Sequence, residues 1–134
     1  MHNVNMDLLR IGDSYTSIDL AEMWGYQDFH PLARGIVTPS GTKKILLFVT
    51  LNKEADRIQY IDSFDGHTLR MEGQQKHGTD HRIAGNLNYK TDDFFLFCRK
   101  TKFEPFTYYG KCVLNNVHLH QDEPSVFEFT INND

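Results

Sequence analysis

Glu72, Gln74, Gln75, His77, Asp80 and Arg82 crowd into one stretch of the chain, and Arg34, Arg99 and Lys100 fall at the ends of other segments. Amide and carboxylate side chains read the polar edge of a base, whereas arginine, lysine and backbone N–H groups hold the phosphates on either side. Arg34 beside Gly35 joins a cation to an uncrowded backbone, which suits a phosphate. Phe106, Tyr108 or Tyr109 could stack on a base drawn out of its duplex. The candidates for a DNA backbone are thus Arg34, Gly35, Arg82, Arg99 and Lys100. Those for a modified-base pocket are Glu72, Gln75, His77, Asp80, Phe106 and Tyr108. The simpler alternative is a solvated loop rim with a few surface ion pairs, and spacing alone favours it.

Other chemistries find less support. His118 and His120 alternate on one strand face, and His77 with His81 has the i, i+4 spacing of metal-binding helices. Gly78 interrupts the second pair, and no carboxylate-rich spacing completes either set, so no metal or other cofactor is expected. There is no HExxH, no GxSxG, no Gly-rich phosphate loop and no HNH-type cluster. Neither Cys98 nor Cys112 has the spacing of a thiol enzyme. A non-catalytic chain is expected.

The elements that would carry these residues are mostly strands. Phe94 to Cys98 and Phe106 to Tyr109 read as two strands of a hairpin, joined around Lys102 to Pro105, with Arg99 and Lys100 where the first leaves the core. Tyr108 and Tyr109 must point to opposite faces. Lys43 to Leu51 is the strongest strand, apolar enough to be buried on both sides. Gly35 leads into a strand at Ile36 to Thr38, and Asp65-Gly66 turns Arg57–Phe64 into His67–Glu72. Val117 to His120 is weakly strand-like, and Ser125 to Ile131 closes the chain with Phe127, Phe129 and Ile131 inward. Tyr15 to Gly25 reads as a compact helix with a Thr16/Asp19 capping box. Ile18 and Ala21, joined by some of Leu20, Met23 and Trp24, form its buried side. A second, short helix of a turn or two fits Thr79 to Leu87, and residues 1–14 read as a loosely ordered lead-in to a single domain spanning 15–134. Together these predict a mainly β, α+β fold: a small, strongly bent or closed barrel with helices at its ends.

At 134 residues and net charge −4 the chain has no global signature of nucleic-acid binding, so any such role falls to a local cationic patch. No apolar run approaches the length of a membrane span, the first residues lack a signal-peptide pattern, and the two cysteines suit reduced thiols. A soluble, cytoplasmic protein without a membrane partner is expected.

From Leu69-Arg70-Met71-Glu72-Gly73-Gln74 onward the pattern resembles a known family. This is the SRA-like, PUA-like domain at the C-terminus of certain superfamily II helicase–phospholipase-D restriction nucleases, fused also to some HNH endonucleases. Its ordered motifs match Tyr15-Thr16, Gly25, Arg34-Gly35-Ile36, Ile45 to Thr50, Asp80 to Ile83, Leu96 to Arg99 and Pro105 to Gly110. The resemblance implies a PUA-like barrel that reads double-stranded DNA carrying a modified base. Cytosine is the expected base, flipped out of the duplex, and the read-out would direct a fused or separate nuclease or helicase module in phage restriction. Met71 stands where that family commonly has tryptophan, and no nuclease or helicase module is present in this chain. The alternatives are a reader of phosphorothioate DNA, a small-molecule or metal-binding barrel using His118 and His120, and a protein-interaction module presenting an edge strand.

Overall fold

The computed structural model describes residues 4–32, 35–39, 41–52, 63–72, 80–89, 91–118 and 126–131. The expected strand from Arg57 falls largely outside these residues, as do the side chains expected at Arg34, Gln74, Gln75, His77 and His120.

Among the described residues eight strands form one mixed sheet: β1 (Ser14–Tyr15), β2 (Ile36–Val37), β3 (Lys44–Asn52), β4 (Ser63–Phe64), β5 (Thr68–Glu72), β6 (Asp93–Thr101), β7 (Phe106–His118) and β8 (Val126–Ile131). Their order is β2-β3-β6-β7-β8-β5-β4, with β1 pairing separately onto β7. The α-helices α1 (Ser17–Trp24) and α2 (Asp80–Tyr89) accompany them. The mainly β class is as expected. The closed barrel is not: among the described residues the sheet stays open, with β2 and β4 as its end strands.

The centre of the sheet is the apolar pair β3 and β6, which run parallel, with Lys44 opposite Asp93 and Thr50 opposite Arg99. Ile45 to Val49 and Phe94 to Cys98 are buried on both sides, as continuous hydrophobic runs require. Alternation sends Ile45, Leu47, Val49, Phe94, Leu96 and Cys98 to one core, shared with Leu69, Phe127, Phe129 and Ile83 of α2. Leu46, Phe48, Phe95 and Phe97 go to a second core on the opposite face, closed by Leu20, Ala21 and Trp24 of α1.

β7 serves both cores because it is bulged. Its first half pairs with β6 and its second with β8, with register shifts opposite Leu96/Phe97 and between Leu114 and Asn116. Phe106 and Tyr108 therefore face the second core, whereas Tyr109, Cys112 and Leu114 face the first. Gly110, at the first bulge, takes φ +87°, a left-handed conformation that glycine adopts without strain. Tyr109 meets Phe64 edge-on at 4.7 Å, so it too packs against the core. Val117 and His118 continue β7 and do not start a new strand.

α1 begins as its sequence demands. Thr16 Oγ1 accepts from the Asp19 N–H at 3.0 Å, Asp19 Oδ2 accepts from the Thr16 N–H at 3.0 Å, and left-handed Gly25 ends the helix. Thr16→Ala should cost about 1 kcal/mol in chemical denaturation, with Asp19 left to cap alone. Ile18, expected inside, is 56% exposed; the helix is rotated so that Leu20, Ala21 and Trp24 meet the sheet. The lead-in is also tied down. Val4 and Leu9 are buried, Trp24 Nε1 donates to the Asn5 carbonyl at 3.3 Å, and Lys44 Nζ donates to the Val4 carbonyl at 2.7 Å. Leu8 and Ile11, on either side of Leu9 in the lead-in, are exposed. No helix among the described residues is long and apolar enough to cross a membrane.

Candidate functional site

The parallel strand pair has two ends, and the predicted cations divide between them. Lys44–Asp93 and Thr50–Arg99 mark positions six residues apart in register, or about 20 Å at the strand rise. Arg82 belongs to the first end and Arg99 to the second.

At the first end Arg82 is part of a closed network. Its Nε donates to Asp92 Oδ2 at 3.1 Å, while its Nη2 donates to Asp92 Oδ1 at 2.8 Å and to the Thr42 carbonyl at 3.4 Å. Asn86, one helical turn along α2 and buried, donates to Asp92 Oδ2 at 2.9 Å and to the Arg82 carbonyl at 2.9 Å. Its Oδ1 accepts from the Asp92 N–H at 2.6 Å. The Arg82 hydrogen bonds, helped by those from Asn86, hold the Asp92 carboxyl below its ordinary pKa against the opposing effect of burial. The network fastens α2 to the start of β6 and engages Arg82 Nε and Nη2 in hydrogen bonds within the fold, apart from the Arg99 end. Asp80 opens the same helix two residues earlier, and Glu72 ends β5 opposite Val126, which itself pairs with His118 at the far end of β7. Neither backbone position lies with Arg99 along β6.

At the second end three separate stretches converge. Arg99 Nε donates to Thr50 Oγ1 at 2.9 Å and Nη1 to the Glu104 carbonyl at 3.3 Å, while the guanidinium lies 4.2 Å above the centroid of the Phe106 ring. Thr50 lies near the end of β3, Arg99 near the end of β6, and Phe106 opens β7. The Arg99 guanidinium is half-buried, and desolvation lowers its pKa from an ordinary value so high that it stays charged. Lys100, the next residue of β6, is exposed and by alternation lies on the opposite face of the strand. Gly35, with φ +81°, accepts from the Phe48 N–H at 2.6 Å, and the Phe48 ring meets Phe106 edge-on at 5.2 Å. Gly35 therefore belongs to this end of the sheet.

The two aromatic candidates lie deeper than expected. Phe106 is covered by Arg99 and Phe48, and Tyr108 packs on Phe97 at 5.0 Å between centroids. Burial pushes the Tyr108 phenol up to about 12. Both rings belong to the second core, which corrects their reading as open stacking faces. Among the described residues no three of His, Cys, Asp and Glu gather where a metal could be held. His118 instead lies 3.2 Å from Asn116 Nδ2 and 3.8 Å from Glu128 Oε1. Cys98 and Cys112 are buried and form no disulfide; burial pushes the Cys112 thiol up, which makes it unreactive.

Comparison with family models returned no match for this chain, and comparison with curated proteins returned none either.

The residues that sequence reasoning passed over are Thr50, Glu104, Lys102 and Phe103 at the second end, and Asn86 and Asp92 at the first. Phe103 carried a readable signal, because an apolar ring in the turn of a hairpin has no core to enter.

Proposed function

We propose that this domain is a non-catalytic reader of DNA and that the Arg99 end of the sheet is its contact with the sugar–phosphate backbone. The observation that carries this reading is the seat of Arg99. Packing on Phe106 and two hydrogen bonds fix the guanidinium before any ligand arrives, so little side-chain entropy is lost when it engages a phosphate. Lys100 and Lys102 supply further positive charge along the same hairpin. In a chain of net charge −4 such a local patch is what a phosphate would meet.

The family resemblance extends the reading to modified DNA in a PUA-like fold. Three of its matched segments, Ile45 to Thr50, Leu96 to Arg99 and Pro105 to Gly110, each lend one residue to the Arg99 seat. Modified cytosine is the favoured mark, a phosphorothioate backbone the second, and the nuclease that acts on the result belongs to a fused or separate module in phage restriction.

Fluorescence anisotropy with matched duplexes at fixed salt tests this. Duplexes carrying methylated or hydroxymethylated cytosine should bind more tightly than plain ones, with phosphorothioate duplexes as the comparison arm. Arg99→Ala should weaken all of them and reduce the magnitude of the salt slope by about one. Equal affinity across the panel would remove modification reading; no binding to any duplex would remove DNA reading.

A further inference from the structure

Phe103 stands at the tip of the β6–β7 hairpin, 87% exposed, the most exposed large apolar side chain among the described residues. Leaving such a ring in water forgoes a large burial gain, and here the turn holds it there. The Glu104 N–H donates to the Thr101 carbonyl at 3.2 Å, Arg99 fixes the Glu104 carbonyl, and Pro105 follows directly. The tip is thus built before it meets anything. One cation lies over it, the Lys102 ammonium at 5.2 Å from the ring centroid; exposed Lys100 precedes it by three residues on β6, and exposed Glu104 follows it directly. One ring beside an ammonium group offers too little apolar area for a protein hot spot or a stable membrane anchor. Its flat face and the charges beside it match a base with its flanking phosphates.

We infer that Phe103 is the stacking residue of this domain, pressing its ring onto an exposed base while Lys100 and Lys102 engage the adjacent phosphates and Arg99 positions the tip. This rests on the DNA-reading proposal and deepens it: the preferred ligand would be a strand with an unstacked or easily unstacked base. It also relieves Phe106 and Tyr108 of a role that their burial opposes.

The test compares the native chain, Phe103→Ala and Phe103→Trp on a fluorescein-labelled single strand, the plain duplex and the methylated duplex. Phe103→Ala should bind roughly ten- to a hundredfold more weakly, the loss expected for one base–aromatic stack, with an unchanged salt slope because no charge is removed. Phe103→Trp should bind like the native chain, and its emission should be quenched on binding, above the constant background of buried Trp24. Thermal unfolding should be the same for all three, since the ring is solvent-exposed. Unchanged affinity of Phe103→Ala, with the native chain binding, overturns the stacking role alone. Failure of the native chain to bind any of the ligands overturns the parent reading and this role together. Loss of binding only to phosphatidylserine vesicles, with DNA affinity intact, would also overturn it in favour of a membrane surface.

Discussion

Phe97→Ala should be the most damaging single truncation in the core, costing about 3–5 kcal/mol. Phe97 has no solvent exposure, and its ring stacks on Phe48 at 4.6 Å, tilts against Tyr108 at 5.0 Å and meets Trp24 edge-on at 6.5 Å. Removing it empties the place where α1, the sheet centre and the bulged strand β7 meet. A close-packed interior cannot collapse into that space without moving all three. Against a typical total of about 5–15 kcal/mol, that is about a fifth or more of the stability of a domain this size. Urea denaturation followed by Trp24 emission measures it directly, because Trp24 is the sole tryptophan and touches the vacated ring. Phe97→Leu keeps most of the volume and should lose less than about half as much. A loss under 1 kcal/mol for the alanine variant would contradict the packing described here.

Disrupting the Asp92 network should come second. Asp92→Ala removes the acceptor of three side-chain hydrogen bonds, two from Arg82 and one from Asn86. Breaking one side of a buried ion pair costs about 3–5 kcal/mol when the stranded charge stays dry. Here the Asp92 side chain is 7% exposed but that of Arg82 is 38%, so the orphaned guanidinium can rehydrate. The expected loss is therefore smaller, about 2–3 kcal/mol. The same network sets a pH dependence. The folded Asp92 carboxyl has a depressed pKa, chiefly through its hydrogen bonds from Arg82, so its stabilisation is complete above the unfolded value near 4. It is lost as pH falls through the folded value, where the native carboxylate finally takes up its proton. Denaturation midpoints measured from pH 7 downward should fall through this window, and Asp92→Asn should flatten that part of the curve. Arg82→Ala should behave as a stability variant, Arg99→Ala as a binding variant, and the contrast separates the two ends of the strand pair.

Much of this architecture is legible in the residues themselves. The hairpin of β6 and β7 follows from two aromatic runs around a Pro-containing turn. The limits of α1 follow from Thr16, Asp19 and Gly25, because caps are local chemistry. What escapes is whatever depends on distant partners. Ile18 and Leu20 both satisfy a helical stripe, and only the docking angle of α1 decides which is buried. The parallel pairing of β3 with β6 has no local signature. Val117 to His120 reads as a segment of its own, yet a bulge carries β7 past Asn115 and Asn116 to His118, with Asn115 Nδ2 donating to Thr130 Oγ1. The site divides in the same way. Arg99 and Lys100 are recognisable at a strand end, but the partner of Arg82 lies ten residues away across a turn. Nothing in spacing says that its charge is already answered.

The parallel pairing at the centre of the sheet also governs the order in which this chain can become a protein. Thr50 and Arg99, joined by a hydrogen bond, are 49 residues apart in sequence, and Ser14 meets Thr107 across 93. A nascent chain emerging from the ribosome must therefore hold the greasiest strand, Lys44–Asn52, with only the two-residue β2 beside it and without its parallel partner β6 until synthesis has passed Thr101. Contacts of such long range make for slow collapse and a prolonged window in which that strand is open to mispairing.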